Sequence, residues 1–419
     1  MATALLSGHA AAQDAVQIYG TLNVDFESVE ARGASAAAQL PTGTMGANPT
    51  GIDVPRRNRV TQNSSNLGFR GAERITPDVS AFFQVESGVA VDSGGSNIAS
   101  RNTGVGFKSG TWGTAFIGQW DTPYKTLSGA VEPMYFTGIA YTGALIGTPG
   151  FGVGPVTIGA PVTSADGRTF AAAPNASFER RQGNSVQYWS PAVMGANLRV
   201  AYSANENRTS SSTGVTQVNP SLWSAGLDYQ AGPFYVAYAY ETHQDYFGID
   251  ALVPGAQATP VAASSAFAGA SSHDRGEKLV ARVKLGATQL GVMGERLRFS
   301  KTGGNAIAGA FMRYERDAYV ATLVQGIGAA GTLRALVGKA RDGNCSRLDG
   351  SACVTAGLGA RQVSAGYSYS FSRRTDAYAF FTRISNGARG SYQFANAAGL
   401  GAAPGSVNVG YLLGLRHTF

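Results

Sequence analysis

The groups in this 419-residue chain with chemistry to offer are four histidines, two cysteines and a set of basic residues spaced by two. The histidines make no recognisable site. His9 and His417 lie near the ends, and His243 and His273 border a long loop, 247–274. None belongs to a His-Glu-x-x-His pair, and no Gly-x-Ser-x-Gly elbow or ligand cluster accompanies them. Cys345 and Cys353 sit among the turn residues of GNCSRLDGSAC with no histidine nearby to complete a metal site. A small loop disulfide, made in an oxidising compartment, is the expectation for them. The Gly-rich GTPGFGVG has no following Lys and no helix, so it cradles no phosphate. No catalytic residue, metal or cofactor is expected.

The basic residues have a clearer logic. In EKLVARVKLG, Leu279, Ala281, Val283 and Leu285 share one face of a strand, against Lys278, Val280, Arg282 and Lys284 on the other. The same period sets Leu67 and Phe69 against Arg70, and Leu198, Val200 and Tyr202 against Arg199. Arg334 follows the rule as well. The net charge is +7, but its carriers are spread singly rather than in runs, which argues against nucleic acid as a partner. Where these side chains point matters more than their number.

The elements that must position them are strands. The chain carries 56 Gly and 18 Tyr but is only 14% charged, against about 25% in ordinary soluble chains. Its mean hydropathy is −0.06, and no run of about 18 apolar residues could serve as a membrane helix. The uncharged stretch 133–165 is broken by Gly and Pro and reads as loop. The opening MATALLSGHAAAQ has the form of the end of a secretory leader, expected to cover 1–12, with a single domain over 13–419.

Alternating segments recur at 16–32, 60–75, 79–92, 100–110, 113–122, 183–193, 195–206, 221–232, 233–246, 275–287, 288–301, 311–329, 331–343, 360–373, 375–388 and 408–419. Short links such as RITPD, YQAGP and SRRTD alternate strictly with mostly long ones, among them 33–59, 123–182 and 247–274. That rhythm fits an all-β, 16-stranded antiparallel up-and-down transmembrane β-barrel, with both termini at the turn end. A bilayer tolerates no free sheet edge, so the last strand must pair with the first. The terminal NVGYLLGLRHTF puts Tyr411, Leu413, Leu415 and Phe419 on one face, which makes Phe419 a lipid-facing anchor at the turn-end rim. A barrel of about 16 strands keeps an aqueous lumen. The inward basic residues would then line it, since Arg or Lys costs roughly 2–4 kcal/mol on the lipid face at mid-bilayer.

VQIYGTLNVDF, SSNLGFRGAERI, SRNTGVGFKSGTWGTAFIGQWDTP, RQGNSVQYWSP and YLLGLRHTF, in this order, resemble the trimeric general porins of Gram-negative outer membranes. The resemblance covers nearly the whole chain after residue 12. It implies an outer-membrane homotrimer, touching lipid and lipopolysaccharide and inserted by the barrel assembly machinery through a signal at Phe419. It implies passive diffusion of small ions and hydrophilic solutes through a constriction made by an inward-folded third loop. The acidic part of that loop is SGAVEPMYF, so Glu132 is expected to face wall arginines Arg101 and Arg181, with Asp121 adding negative charge nearby. Arg70, Arg199, Arg282 and Lys284 complete the expected lumen set. Asn66 and Gln119 stand where relatives often carry arginine, which makes the expected anion preference mild. The alternative is a barrel acting mainly as an adhesin through its long loops.

Overall fold

The computed structural model describes residues 16–41, 43–150, 176–204, 219–251, 270–303, 311–394 and 400–419, with short backbone segments at 162–163 and 169–170. The expected leader, 1–12, lies outside the described residues.

Alternation is what makes the strands. Among the described residues they run β1 Gln17–Arg32, β2 Val54–Gln62 continued by Asn66–Arg74, β3 Val79–Val89 and β4 Thr103–Ser109. β5 Gly113–Asp121, β6 Arg181–Trp189, β7 Ala196–Ser203 and β8 Ser221–Ala231 follow. Next come β9 Phe234–Gln244, β10 Ala270–Leu285, β11 Thr288–Gly303 and β12 Phe311–Ile327. β13 Gly331–Ala340, β14 Ala360–Ser370, β15 Thr375–Asn386 and β16 Val407–Thr418 complete the set. Each pairs antiparallel with the next, and β1 pairs with β16 from Thr21 against Thr418 to Arg32 against Val407. The sheet is a closed 16-stranded barrel, so no edge is left to lipid.

The largest departure from the sequence reading is in the second strand, and β10 also starts earlier than expected, at Ala270 rather than at 275. The second strand starts at Val54 rather than at 60, and it is interrupted at 63–65, where Ser64 takes φ 57°. Its first half pairs with Val24–Ala31 of β1 and its second half with Gln17–Thr21. Period-two reading missed the early half because VPRRNR carries charge on both faces.

The outer face is apolar where alternation requires it. Leu279 and Leu285 on β10, Leu290 and Val292 on β11, and Leu413 and Leu415 on β16 are each about half exposed or more. The packed core lies inside the barrel instead. Loop residues Tyr124, Leu127, Val131, Met134, Ile139 and Leu145 are 0–2% exposed, packed in one cluster with inward Ala239, Val280, Met293, Val320 and Leu336. Five inward glycines act as sockets for this loop. A methyl group at Gly226, Gly291, Gly338 or Gly410 would come within 2.6–2.8 Å of Leu127, Val131, Leu145 or Ile139 respectively. Gly276 seats Phe178 in the same way, at 2.7 Å. The described parts of the third loop, 122–150 and 176–180, are thus folded into the lumen, and burial of their apolar side chains, at about 25 cal/mol per Å², supplies the attraction.

Candidate constriction of the lumen

The loop leaves β5 through a short helix, α1 (Pro123–Ser128), whose start is set by Pro123 at its first position and by the Thr122 side chain accepting from Lys125 N. Charged wall residues then pin it. Tyr124 Oη donates to Glu295 at 2.8 Å, and Gly147 N donates to the same carboxylate at 2.9 Å. Arg316 lies 3.1 Å from Glu295 and donates to Leu145 O at 2.9 Å. Lys278 Nζ donates to Ser128 Oγ at 2.7 Å and to Tyr124 O at 3.3 Å, and it pairs with Glu179. Asn23 Nδ2 on β1 donates to Phe136 O at 2.5 Å, and Gln362 Nε2 on β14 donates to Tyr141 O at 3.1 Å. The loop therefore reaches across the barrel from β8–β12 to β14 and β1.

Between this loop and the wall of β3–β6 lies a cavity of about 550 Å³. Its lining includes Arg101, Trp120, Asp121, Lys125, Glu132, Tyr135 and Trp189. Arg101 Nε donates to Glu86 at 2.5 Å, and Tyr19 Oη donates to the other Glu86 oxygen at 3.0 Å. Gly68 permits that second contact, since a Cβ there would fall 2.3 Å from the Tyr19 ring. Asp121 lies 2.8 Å from Lys125 and 3.4 Å from Arg181. Asn102 bridges them, donating to Asp121 at 3.0 Å and accepting from Arg181 Nε at 2.8 Å. Gln119 Nε2 holds the Arg101 backbone, donating to the carbonyls of Ala99 and Arg101 at 3.3 Å each. Asn66 is turned away to Ser64 O at 3.0 Å.

Glu132 lines the same cavity but is turned into its own loop, accepting from Thr142 N at 3.0 Å and Met134 N at 3.3 Å. Burial pushes its carboxyl up to about 8, the two backbone N–H groups opposing this only in part. At neutral pH it is therefore mainly uncharged. Around the opening, counting Glu179 of the lining with its partner Lys278, four cations (Arg101, Lys125, Arg181, Lys278) stand with three carboxylates (Glu86, Asp121, Glu179) besides Glu132.

Of the residues singled out from sequence, Arg101, Asp121, Glu132 and Arg181 come together here. The others line the turn-end half of the lumen. Arg70 sits over the Tyr19 ring at 4.9 Å and donates to Gln17 at 2.9 Å. Arg199 pairs with Asp228 at 2.5 Å, and Arg282 donates to Gln230 at 2.9 Å. Lys284, opposite Gln289, is next to the β10–β11 turn. Arg334 is taken up by the loop, 5.3 Å from the Phe136 ring, which Arg416 approaches at 4.8 Å. Lys125 and Glu86 escaped the sequence reading. Glu86 was available from the alternation of AFFQVESG, which sets it opposite Phe83 and Val85. Lys125 was not, because it reaches Asp121 through a helical i,i+4 spacing inside a loop.

At the turn-end rim Phe419 is 43% exposed, its ring over Gly20 and its N–H donating to Gly20 O at 3.0 Å. Cys345, on a short strand Asn344–Arg347 that pairs with the start of β12, is disulfide-bonded to Cys353 in the segment after β13, with Cα atoms 5.7 Å apart.

Comparison with known proteins agrees with this architecture. A family model described as Gram-negative porin matches residues 1–389. An outer membrane porin protein of Bordetella pertussis is 25% identical over 261 residues, and the chain spans 58% of that relative's length, with 58% of this chain covered. In structure, the anion-selective porin from Comamonas acidovorans superposes with a TM-score of 0.67 at 17% identity, over 97% of this chain and 100% of the other. OmpT of Vibrio cholerae in a trimer form gives 0.58 at 12% identity, over 97% and 100%.

Proposed function

The chain belongs to the Gram-negative porin family, and from that premise we propose that it is a passive channel for small hydrophilic solutes and ions, moderately favouring anions. Its barrel belongs to the outer membrane. The observation that carries the selectivity is the excess of cations at the narrow opening, where Arg101, Lys125, Arg181 and Lys278 stand with Glu86, Asp121 and Glu179 while burial raises the Glu132 carboxyl to about 8. Screening confines charge effects to roughly 8 Å at physiological salt, so this opening outweighs distant loops. Fixed positive charge in a low-dielectric passage raises the local anion concentration. Arg70, Arg199, Arg282 and Lys284 extend the positive wall toward the turn end. The structural likeness to an anion-selective porin supports the same sign.

The pore acts by size and charge alone, and the reading assigns it no bond-making step and no cofactor. It forms a homotrimer, as the trimer form of the Vibrio cholerae neighbour suggests for this fold. A leader at 1–12 ahead of a barrel at 13–419, and recognition of Phe419 during insertion, belong to the same proposal. No observation favours the adhesin reading. Planar-bilayer recordings of the purified protein test the function: stepwise conductance with reversal potentials of anionic sign is the expected result. Absence of steps, or a cation-selective wild type, would overturn it.

A further inference from the structure

The inner wall of a water-filled barrel is polar as a rule, yet β3, β5 and β6 turn four large aromatic rings inward side by side. Ile117 on β5 and Val186 and Tyr188 on β6 face lipid, so alternation sends Phe116, Trp120 and Trp189 into the lumen, where Phe82 of β3 joins them. Phe116 is the hub. Its ring centroid lies 6.1 Å from Phe82, 4.9 Å from Trp120 and 5.3 Å from Trp189, each contact edge to face, and the two indoles are 6.2 Å apart. None of the four belongs to the cluster that seats the third loop. Phe116 is buried, whereas Trp120 and Trp189 stay partly exposed and line the cavity of about 550 Å³ at the opening. The indoles are held without being covered, Trp189 also by donating from Nε1 to Gln187 at 3.2 Å.

The same cavity holds donors with capacity to spare. Arg101 uses its Nε on Glu86, and its two terminal nitrogens form no hydrogen bond among the described residues. Lys125 Nζ has one partner there, Asp121 at 2.8 Å. Tyr135 Oη has none, and its ring meets Tyr141 edge on at 5.3 Å. The carboxylates of the lining are all engaged. Asp121 is held by Lys125, Arg181 and Asn102, and Glu179 by Lys278 and Ser128. Glu132 is held by Thr142 and Met134 of its own loop. What the cavity offers a solute is therefore N–H and O–H donors beside open indole rings.

We propose that this part of the opening is a subsite for small aromatic carboxylates, the ring resting on Trp120 and Trp189 and the carboxylate accepting from Arg101, Lys125 and Tyr135. The assignment rests on the reading of the barrel as an open, anion-favouring channel. An inorganic anion satisfies the donors and leaves the indoles wet. An aliphatic acid covers the indoles but lacks the edge-to-face contact that the rings already make with one another. An aromatic acid does both, since ammonium and guanidinium groups bind carboxylate through charge-assisted hydrogen bonds and ring–ring contact adds to the area buried. The cavity has the size of a small-molecule pocket. Passage also requires that the solute leave again, so the preference is expected to be modest.

The test is bilayer recording of the purified full chain in chloride, with benzoate or cyclohexanecarboxylate added. Benzoate should halve the chloride current at a concentration roughly three- to tenfold below that of cyclohexanecarboxylate, its match in size and charge. Trp120→Leu/Trp189→Leu should bring the two acids within about twofold of each other. Trp120→Phe/Trp189→Phe, which keeps a ring at each position, should keep most of the preference. Trp223→Leu, which removes an indole from the lipid face, should keep all of it. Arg101→Gln should weaken block by both acids alike. The readout is a ratio within one channel, so a change in overall conductance cancels. Heat-modifiable migration on gels establishes that each variant is folded, and Trp189→Leu alone is read if the double leucine variant is not. The chloride current before addition reports the channel reading separately. Anion-favouring steps with equal block by the two acids, or with no block, would overturn the subsite and leave the channel standing. A benzoate preference unchanged in folded leucine variants would overturn it as well.

Discussion

Glu295 and Arg316, 3.1 Å apart on adjacent strands and both fully buried, hold the two legs of the third loop between them. Glu295 takes the outgoing leg at Tyr124 and the returning leg at Gly147, while Arg316 takes Leu145. A constriction anchored at both legs by this buried ion pair, beside its other wall contacts, has mechanical consequences that can be measured.

Glu295→Ala leaves Arg316 buried without its carboxylate and removes the acceptor for Tyr124. Breaking a buried pair from one side costs about 3–5 kcal/mol. The loop should detach before the barrel unfolds, so single-channel conductance should rise and become noisier. Recordings at matched salt with unchanged conductance and noise would contradict this role.

The glycine sockets make a second test of the loop seat. A Cβ at Gly291 lies 2.7 Å from Val131, so Gly291→Ala overpacks the contact, at a cost of about 1–3 kcal/mol. Thermal denaturation should show lower stability for Gly291→Ala and partial recovery in Gly291→Ala/Val131→Ala. Simple additivity of the two losses would argue that the loop is not seated there.

Selectivity should depend on position in the lumen. Arg101→Ala and Arg181→Ala should each lower the anion preference in reversal potentials under a salt gradient, and Lys125→Ala should join them. Arg282→Ala, nearer the turn end, should change it less. Equal effects at all four positions would place the selective step outside the opening.

The pH dependence follows from Glu132. Its carboxyl, raised to about 8, is mainly protonated at pH 7 and ionises as pH rises through that value. New negative charge beside Arg101 should then reduce anion preference between pH 7 and 9. Glu132→Gln should flatten the profile while changing selectivity little at pH 6. A wild-type profile that stays level to pH 9 would mean that Glu132 does not titrate in that window.

Reducing the Cys345–Cys353 bond should leave conductance unchanged, because the barrel closes through β1 and β16 and the loop after β13 is outside that closure. Thiol titration before and after reduction, with bilayer recordings on both samples, checks this. A collapse of conductance on reduction would tie that loop to the pore.

The amino-acid sequence by itself determined the barrel. Alternation with period two is a local property, and it assigns each side chain to a face without knowledge of its neighbours, as EKLVARVKLG did for Arg282 and Lys284. Closure of β1 on β16 followed from the cost of unpaired backbone in lipid. Arg101, Asp121 and Arg181 were legible because they lie on strands or at their ends, where that register still holds. The tertiary structure alone decided the rest. Glu295 meets Tyr124 across 171 residues and Gly147 across 148, and no spacing in the chain announces such contacts. The same holds for Gly291 beneath Val131, for Phe136 between Arg334 and Arg416, and for Glu132, which turned into its own loop rather than toward the wall. Faces are encoded residue by residue, whereas what meets across a lumen depends on where a long loop finds enough apolar surface and buried charge to stop.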